Sequence, residues 1–175
     1  MMKDNFELKR WFEDDWAIYR AARLEALRLN SNVFLRSEDE ESVKQDEYWR
    51  EHLRDTYGSA IFGLYSGDDV IGLTGAFRWR ESPLDTVILG MSYIRPEYRG
   101  RGLSRLFYEK RLEWAWAQGG ITRILVAHRE GNEASRAANQ KWGFAPYGSE
   151  IITYGNGECA KNYKYELRRE HHERI

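Results

Sequence analysis

The chain predicts a mixed α/β (α+β) fold: a mostly antiparallel central sheet flanked by about four helices. Strand-length apolar runs outnumber helical stripes, and two pairs of them are joined by turn sequences, Gly67-Asp68-Asp69 and Gly155-Asn156-Gly157. Helical periodicity appears only in blocks, after the first strand and on either side of Ile124–Ala127. With 175 residues, 42% of them hydrophobic and 14% aromatic, residues 1–175 suffice for one domain with a real core.

The elements follow in order. Phe6 to Trp11 alternates as a first strand, and Asp14 or Asp15 caps a helix through Trp16, Ala17, Ala21, Leu24 and Leu27 to Asn30. The polar run Ser37 to Glu41 precedes a second helix holding Tyr48, Trp49 and Leu53. Ser59–Tyr65 and Val70–Trp79 read as a hairpin, and Val87–Ile94 as a strand stopped by Arg95-Pro96. In the next helix Leu103, Leu106, Phe107, Trp114 and Ala117 form the expected apolar stripe, with Lys110 its one charge. Gly119-Gly120 ends it, and Ile124–Ala127 is a short buried strand. A short helix within Asn132–Phe144 closes at Gly143, with Ala134, Ala137 and Ala138 as its packing face. Ile151–Tyr154 and Tyr163–Leu167 complete the sheet, and 166–175 is expected to be a partly frayed tail.

Composition excludes several classes. A net charge of −1 does not suit a general nucleic-acid binder. Cys159 is the sole cysteine, so no disulfide or cysteine-based zinc site arises within one chain, and the expected compartment is the cytoplasm. Neither an apolar leader nor a run of roughly 20 apolar residues is present, so no membrane partner is expected. The tail Glu170-His171-His172-Glu173 lacks H-E-x-x-H spacing, and no metal site is expected.

The most informative stretch is Tyr98-Arg99-Gly100-Arg101-Gly102-Leu103-Ser104-Arg105, where a strand gives way to a helix. A helix N-terminus carries unpaired N–H groups and partial positive charge, so three arginines there are repelled unless a polyanion lies among them. Glycine admits positive φ and lets backbone N–H groups approach a phosphate closely. The P-loop is excluded because Leu103 and Ser104 follow Gly102, and a dinucleotide fingerprint because Arg105 stands at its third glycine.

Arg99-Gly100-Arg101-Gly102-Leu103-Ser104 resembles the acetyl-CoA loop Q/R-x-x-G-x-G/A of the GNAT superfamily of N-acetyltransferases, with Ser104 at the last position. Asn132 to Phe144 is similar to that family's N-x-x-A-x-x-x-Y-x-K-x-G-F block, with Ser135 at its alanine and Asn139 at its tyrosine. The element order resembles the GNAT fold along nearly the whole chain.

The resemblance implies acetyl-CoA as co-substrate, bound by Tyr93, Ile94, Arg99, Gly100, Arg101, Gly102, Leu103, Ser104, Asn132, Ser135 and Asn139. Backbone near Tyr93 and Ile94 would pair with the pantetheine arm, and one N–H there would polarise the acetyl carbonyl. The implied reaction is direct transfer to the primary amine of a small-molecule acceptor; the alternatives are a protein or peptide amine, or a non-catalytic acyl-CoA sensor. A homodimer is also compatible. Asn139 cannot replace the family's acidic tyrosine by ionising, so Ser135 or Asn139 is expected to hydrogen-bond the sulfur or pantetheine instead. The strand before the loop has no carboxylate, which leaves Tyr93, Glu81, Asp85, His128 or a water as candidate bases. For His128 a satisfied strand-end role, and for Glu81 and Asp85 an ordinary turn, are the plainer readings. Glu38 to Glu41 attracts a cationic amine or is simply solvated. Trp79, with Arg78 or Arg80 beside it, is the candidate aromatic wall of the acceptor site.

Overall fold

In the computed structural model of the chain, which describes residues 5–81 and 83–172, strands β1 (Phe6–Trp11), β2 (Ser59–Ser66), β3 (Asp69–Arg78), β4 (Thr86–Ile94), β5 (Arg123–Arg129), β6 (Ala145–Thr153) and β7 (Cys159–Arg168) form one sheet. Their order is β1-β2-β3-β4-β5-β7-β6. Every pairing is antiparallel except β4–β5. The helices are α1 (Trp16–Leu29), α2 (Glu38–Ser42), α3 (Asp46–Leu53), α4 (Ser104–Ala117), α5 (Glu133–Lys141) and α6 (Arg169–His172).

Both predicted hairpins form, because Gly67 and Gly157 take the positive φ their turns require, 61° and 83°. The acidic run makes a helix of its own. Ser37 Oγ accepts from Glu40 N at 3.2 Å while Glu40 Oε2 accepts from Ser37 N at 2.8 Å, a reciprocal cap that starts α2. Glu41, one residue on, is buried in a two-bond pair with Arg23 at 3.0 Å per bond. Charge neutralisation inside the fold, and neither solvation nor capture of an amine, accounts for that residue.

Helices α1 and α3 cover one face over β1–β4, where Trp11, Tyr19, Leu27, Trp49, Ile61, Leu73 and Tyr93 share a core cluster. Helix α4 covers the other face, with Phe107 against Leu64 and Ile71, and Tyr108, Leu112 and Ala115 among Val87, Ile124 and Leu167. Burying each large apolar side chain contributes roughly 1.5–3 kcal/mol. The predicted α4 stripe is rotated. Its buried residues are Phe107, Tyr108, Arg111, Leu112 and Ala115, whereas Lys110 is exposed and pairs with Glu113. One of the five is the charged Arg111, so hydropathy periodicity pointed to a neighbouring face. In α5 the buried residue is Asn139, while Ala134 and Ala137 face solvent.

The tail departs from expectation up to His172: Glu166–Arg168 closes β7 with Leu167 buried, and Arg169 donates to Ile121 O and Trp116 O at 3.0 Å each. Residues 173–175 lie outside the described residues. No helix among the described residues is long and apolar enough to cross a membrane.

Candidate active site

β4 and β5 pair only at Thr86–Ile88 with Arg123–Leu125. Beyond that point the two strands part, and Leu89–Ile94 and Val126–Arg129 present main-chain edges to each other across a cleft of about 1520 Å³. An unpaired strand edge is a template for another extended chain bearing amides. The opposite edge of β4 is irregular. Leu73 pairs with Tyr93 but Gly75 with Gly90, and Met91 inside this bulge has φ 59°, the one positive value among described non-glycine residues. A bulge leaves a residue unpaired, and left-handed backbone at a β-carbon costs on the order of 1–2 kcal/mol. That cost is placed at the mouth of the splay.

At the far end of β4 the chain turns into α4 through Gly100 and Gly102, with φ 74° and 73°. A left-handed glycine followed by right-handed Leu103 (φ −69°, ψ −24°) turns successive N–H groups to one side, an anion-binding nest at a helix start. A β-carbon built on either glycine meets nothing within 4 Å, so the space before these amides is open.

The arginines are another matter. Arg105 forms an i,i+4 ion pair with Glu109 at 2.6 Å. Arg99 donates to Ile94 O at 2.7 Å and lies over the Tyr93 ring, and Arg101 donates to Glu97 O at 3.3 Å and lies over the Tyr98 ring. Local acceptors and rings therefore relieve the crowding anticipated from sequence, and the case for an anion rests on the backbone and its glycines.

Of the other predicted site residues, Ser104, Asn132, Ser135 and Asn139 line the same cleft, as do Tyr93 and Ile94. Leu103 is buried, so its side chain belongs to the core. Asn132 Oδ1 is engaged as the cap of α5, accepting from Ser135 N at 3.2 Å. Asn139 is 1% exposed; its Oδ1 accepts from Tyr108 OH at 2.6 Å, and its Nδ2 has no partner. Tyr93 does not meet the needs of a proton-transfer residue. Its hydroxyl donates to Glu25 Oε1 at 3.1 Å, and burial, followed by the Glu25 charge, pushes its pKa up to about 12. Glu25 is itself clamped by Arg95 at 2.7 and 2.8 Å, which holds its carboxyl below the usual range.

The candidate bases are occupied too. Asp85 accepts from Thr122 and Thr86, which depress its pKa. His128 makes contacts through both ring nitrogens, Nδ1 to Arg129 O at 2.8 Å and Nε2 to Tyr165 OH at 2.9 Å. A carbonyl only accepts, so Nδ1 carries the proton and Nε2 accepts from the tyrosine. Glu81 is exposed in the β3–β4 turn. Trp79 lines the cleft, while Arg78 is drawn off to Gly119 O and Arg80 stacks on Tyr57.

Two wall residues escaped the sequence reading, Tyr108 and Arg111. Both sit on the buried face of α4, and Arg111 Nη1 donates to Ser92 Oγ at 2.8 Å beside the bulge. A further feature is a strap. Gly155 N donates to Phe34 O at 2.7 Å, Arg129 Nη1 to Asn32 O and Nη2 to Glu158 Oε2, each at 2.6 Å. The α1–α2 segment is thereby laced to the β6–β7 turn where both border the cleft.

A splayed strand pair, a bulge and a glycine nest at a helix start together suit an elongated ligand with amides along its length and phosphate at one end. The model of the acetyltransferase (GNAT) family matches residues 8–144, and the chain belongs to that family. A GNAT-family acetyltransferase from Streptococcus pneumoniae shares 18% identity over 94% of this chain and 99% of its own, with a TM-score of 0.79. YncA of Salmonella typhimurium, solved with its cofactor acetyl-CoA, shares 17% over 93% of each chain at 0.76. The ribosomal-protein-S5-alanine acetyltransferase of Vibrio fischeri shares 14% over 96% of this chain and 95% of its own, also at 0.76. No curated protein matches the chain in sequence. The protein is an acetyltransferase, and acetyl-CoA is its co-substrate.

Proposed function

We propose that the protein transfers the acetyl group of acetyl-CoA directly to the primary amine of a small molecule. The strap carries this reading. It laces the α1–α2 segment to the β6–β7 turn beside the cleft, an arrangement that favours a compact amine over an extended polypeptide. Protein amines are the competing acceptors, because the Vibrio fischeri relative is named for a ribosomal protein.

In this reading the amides from Gly100 to Ser104 hold the pyrophosphate, with the Arg99 and Arg101 guanidiniums adding positive charge beside it. The main chain at Tyr93 and Ile94 pairs with the pantetheine amides, and a bulge N–H near Met91 polarises the acetyl carbonyl. Ser135 and Asn139 face the thiol end. Positioning supplies most of the rate, since effective molarities for aligned reactants correspond to roughly 7–11 kcal/mol of barrier. The acceptor enters as the free amine, so turnover rises with pH as that amine loses its proton.

Release of CoA thiol from acetyl-CoA across amino acids, polyamines, aminoglycosides and N-terminal peptides tests the reading. Turnover on one small-molecule class is expected. Turnover on peptides alone would overturn it in favour of a polypeptide acceptor.

A further inference from the structure

Side chains alternate along β5 and β7, so Ile124, Val126 and Tyr165 pack toward α4, while Ala127 and its register partner Lys164 look to the opposite face of the sheet. On that face the cleft is bordered by Phe34 and Arg36 of the α1–α2 segment and by Glu150 of β6. Its cations are unevenly matched. Arg123 is held by Glu166 and Arg129 by Glu158, each at 2.6 Å. Lys164, its side chain 31% exposed, has no acceptor within hydrogen-bond reach among the described residues; its ion pair with Glu150 Oε2 spans 3.6 Å. Arg36 is exposed at the rim, and its side chain makes no ion pair among the described residues, acting on Glu40 only through space. Arg23, which also lines the cleft, keeps a buried Nη1 without an acceptor. The other carboxylate of this wall, Glu130, accepts from Lys161 N at 2.8 Å. One side of the cleft thus holds spare positive charge from floor to rim, in a chain whose net charge is −1. A cation drawn out of water without a partner gains most from an anion that arrives with the ligand. The same field resists a second positive charge on an acceptor and favours loss of the proton from its amine.

We propose that the acceptor is an anionic amine, a small molecule bearing a carboxylate or phosphate, and that Lys164 and Arg36 determine this specificity; the proposal rests on the small-molecule reading above. Lys164 on the floor donates to the acidic group, for which its three N–H donors have no competing acceptor among the described residues. Arg36 at the rim steers the anion inward, a contribution that added salt screens. Polyamines and aminoglycosides, which bring only further positive charge, are disfavoured by the same wall.

The test is steady-state kinetics at saturating acetyl-CoA on amino acids against their amides, phosphoethanolamine against ethanolamine, and polyamines, with rates referred to the concentration of free amine. The acid of a pair is expected to exceed its neutral partner by at least about tenfold in kcat/KM, the worth of one charge-assisted hydrogen bond. Which pair shows the gap tells a carboxylate acceptor from a phosphate one. Rising ionic strength should lower kcat/KM for the acid, and Arg36→Gln should flatten that dependence. Lys164→Met should raise the KM of the acid about tenfold with kcat within about twofold, and Lys164→Arg, which keeps the charge, should restore it. Parity of acid and neutral partner in both pairs, polyamine turnover above that of the acids, or an unchanged KM in Lys164→Met overturns the proposal while the small-molecule reading stands. So does a loss in Lys164→Met shared equally by acid and neutral amine, which marks a structural role. Turnover of N-terminal peptides alone overturns the small-molecule reading itself, and the proposal with it.

Discussion

Arg23 and Glu41 face each other with side chains 8% and 5% exposed, and Arg23 Nη1 has no further partner. Glu41→Ala therefore leaves a guanidinium unmatched in the core and should destabilise the protein by about 3–5 kcal/mol in urea denaturation. The half-buried Glu25–Arg95 pair makes a gentler, pH-dependent contribution. Because the folded Glu25 carboxyl titrates below its ordinary 4.5, its stabilisation is fully present above that value and is lost as pH falls through the lower folded one. Glu25→Gln should cost about 1 kcal/mol at neutral pH, and the gap to the wild type should shrink as the pH falls below 4.5 in the same assay. Residues such as these were hard to read in advance. Sequence marked Glu41 as part of a solvated acidic run and placed Lys110 on the stripe of α4, while its neighbour Arg111 is the buried one. Hydropathy assigns buried charge to solvent, and functional helices violate that assignment.

Turns and glycines were more legible. Gly100 and Gly102 are left-handed as a phosphate nest requires, and Asn132 caps α5 through its side chain. Elements fixed largely by main-chain groups left little trace. The Met91 bulge has no turn residue to announce it, and the strap uses Gly155 N, Phe34 O and Asn32 O. Only the strap's glycine betrays it. A β-carbon on Gly155 would lie 2.3 Å from Arg36 O and 2.6 Å from Arg36 C, backbone atoms unable to yield without moving the segment. Gly155→Ala should part the strap, raising the acceptor KM about tenfold while acetyl-CoA affinity stays within about twofold, a split that steady-state kinetics and calorimetry resolve together.

At the scale of the molecule, one departure from regular pairing organises the chemistry. β4 and β5 stay parallel for three residue pairs and then separate. Their facing edges, the bulge, Arg99 and Ser104 at the two ends of the glycine loop, and the buried face of α4 then border one cleft. The mixed sheet with inserted helices followed from hairpin turns and the spacing of helical blocks, since those are local signals. The splay itself depends on how α4 packs across β4, β5 and β7, a tertiary effect that no local pattern encodes.

Acetyl-CoA binding to the wild type and to Gly102→Trp, measured by calorimetry with circular dichroism as the control for folding, tests this account most directly. Left-handed backbone at a tryptophan costs on the order of 1–2 kcal/mol, and the side chain enters open space, so the variant should fold. Saturable binding by the wild type and a loss of at least about a hundredfold in the folded variant is the predicted result, because the indole occupies the phosphate nest. Wild-type affinity in that variant would contradict the assignment of the Gly100–Ser104 loop as the acetyl-CoA site.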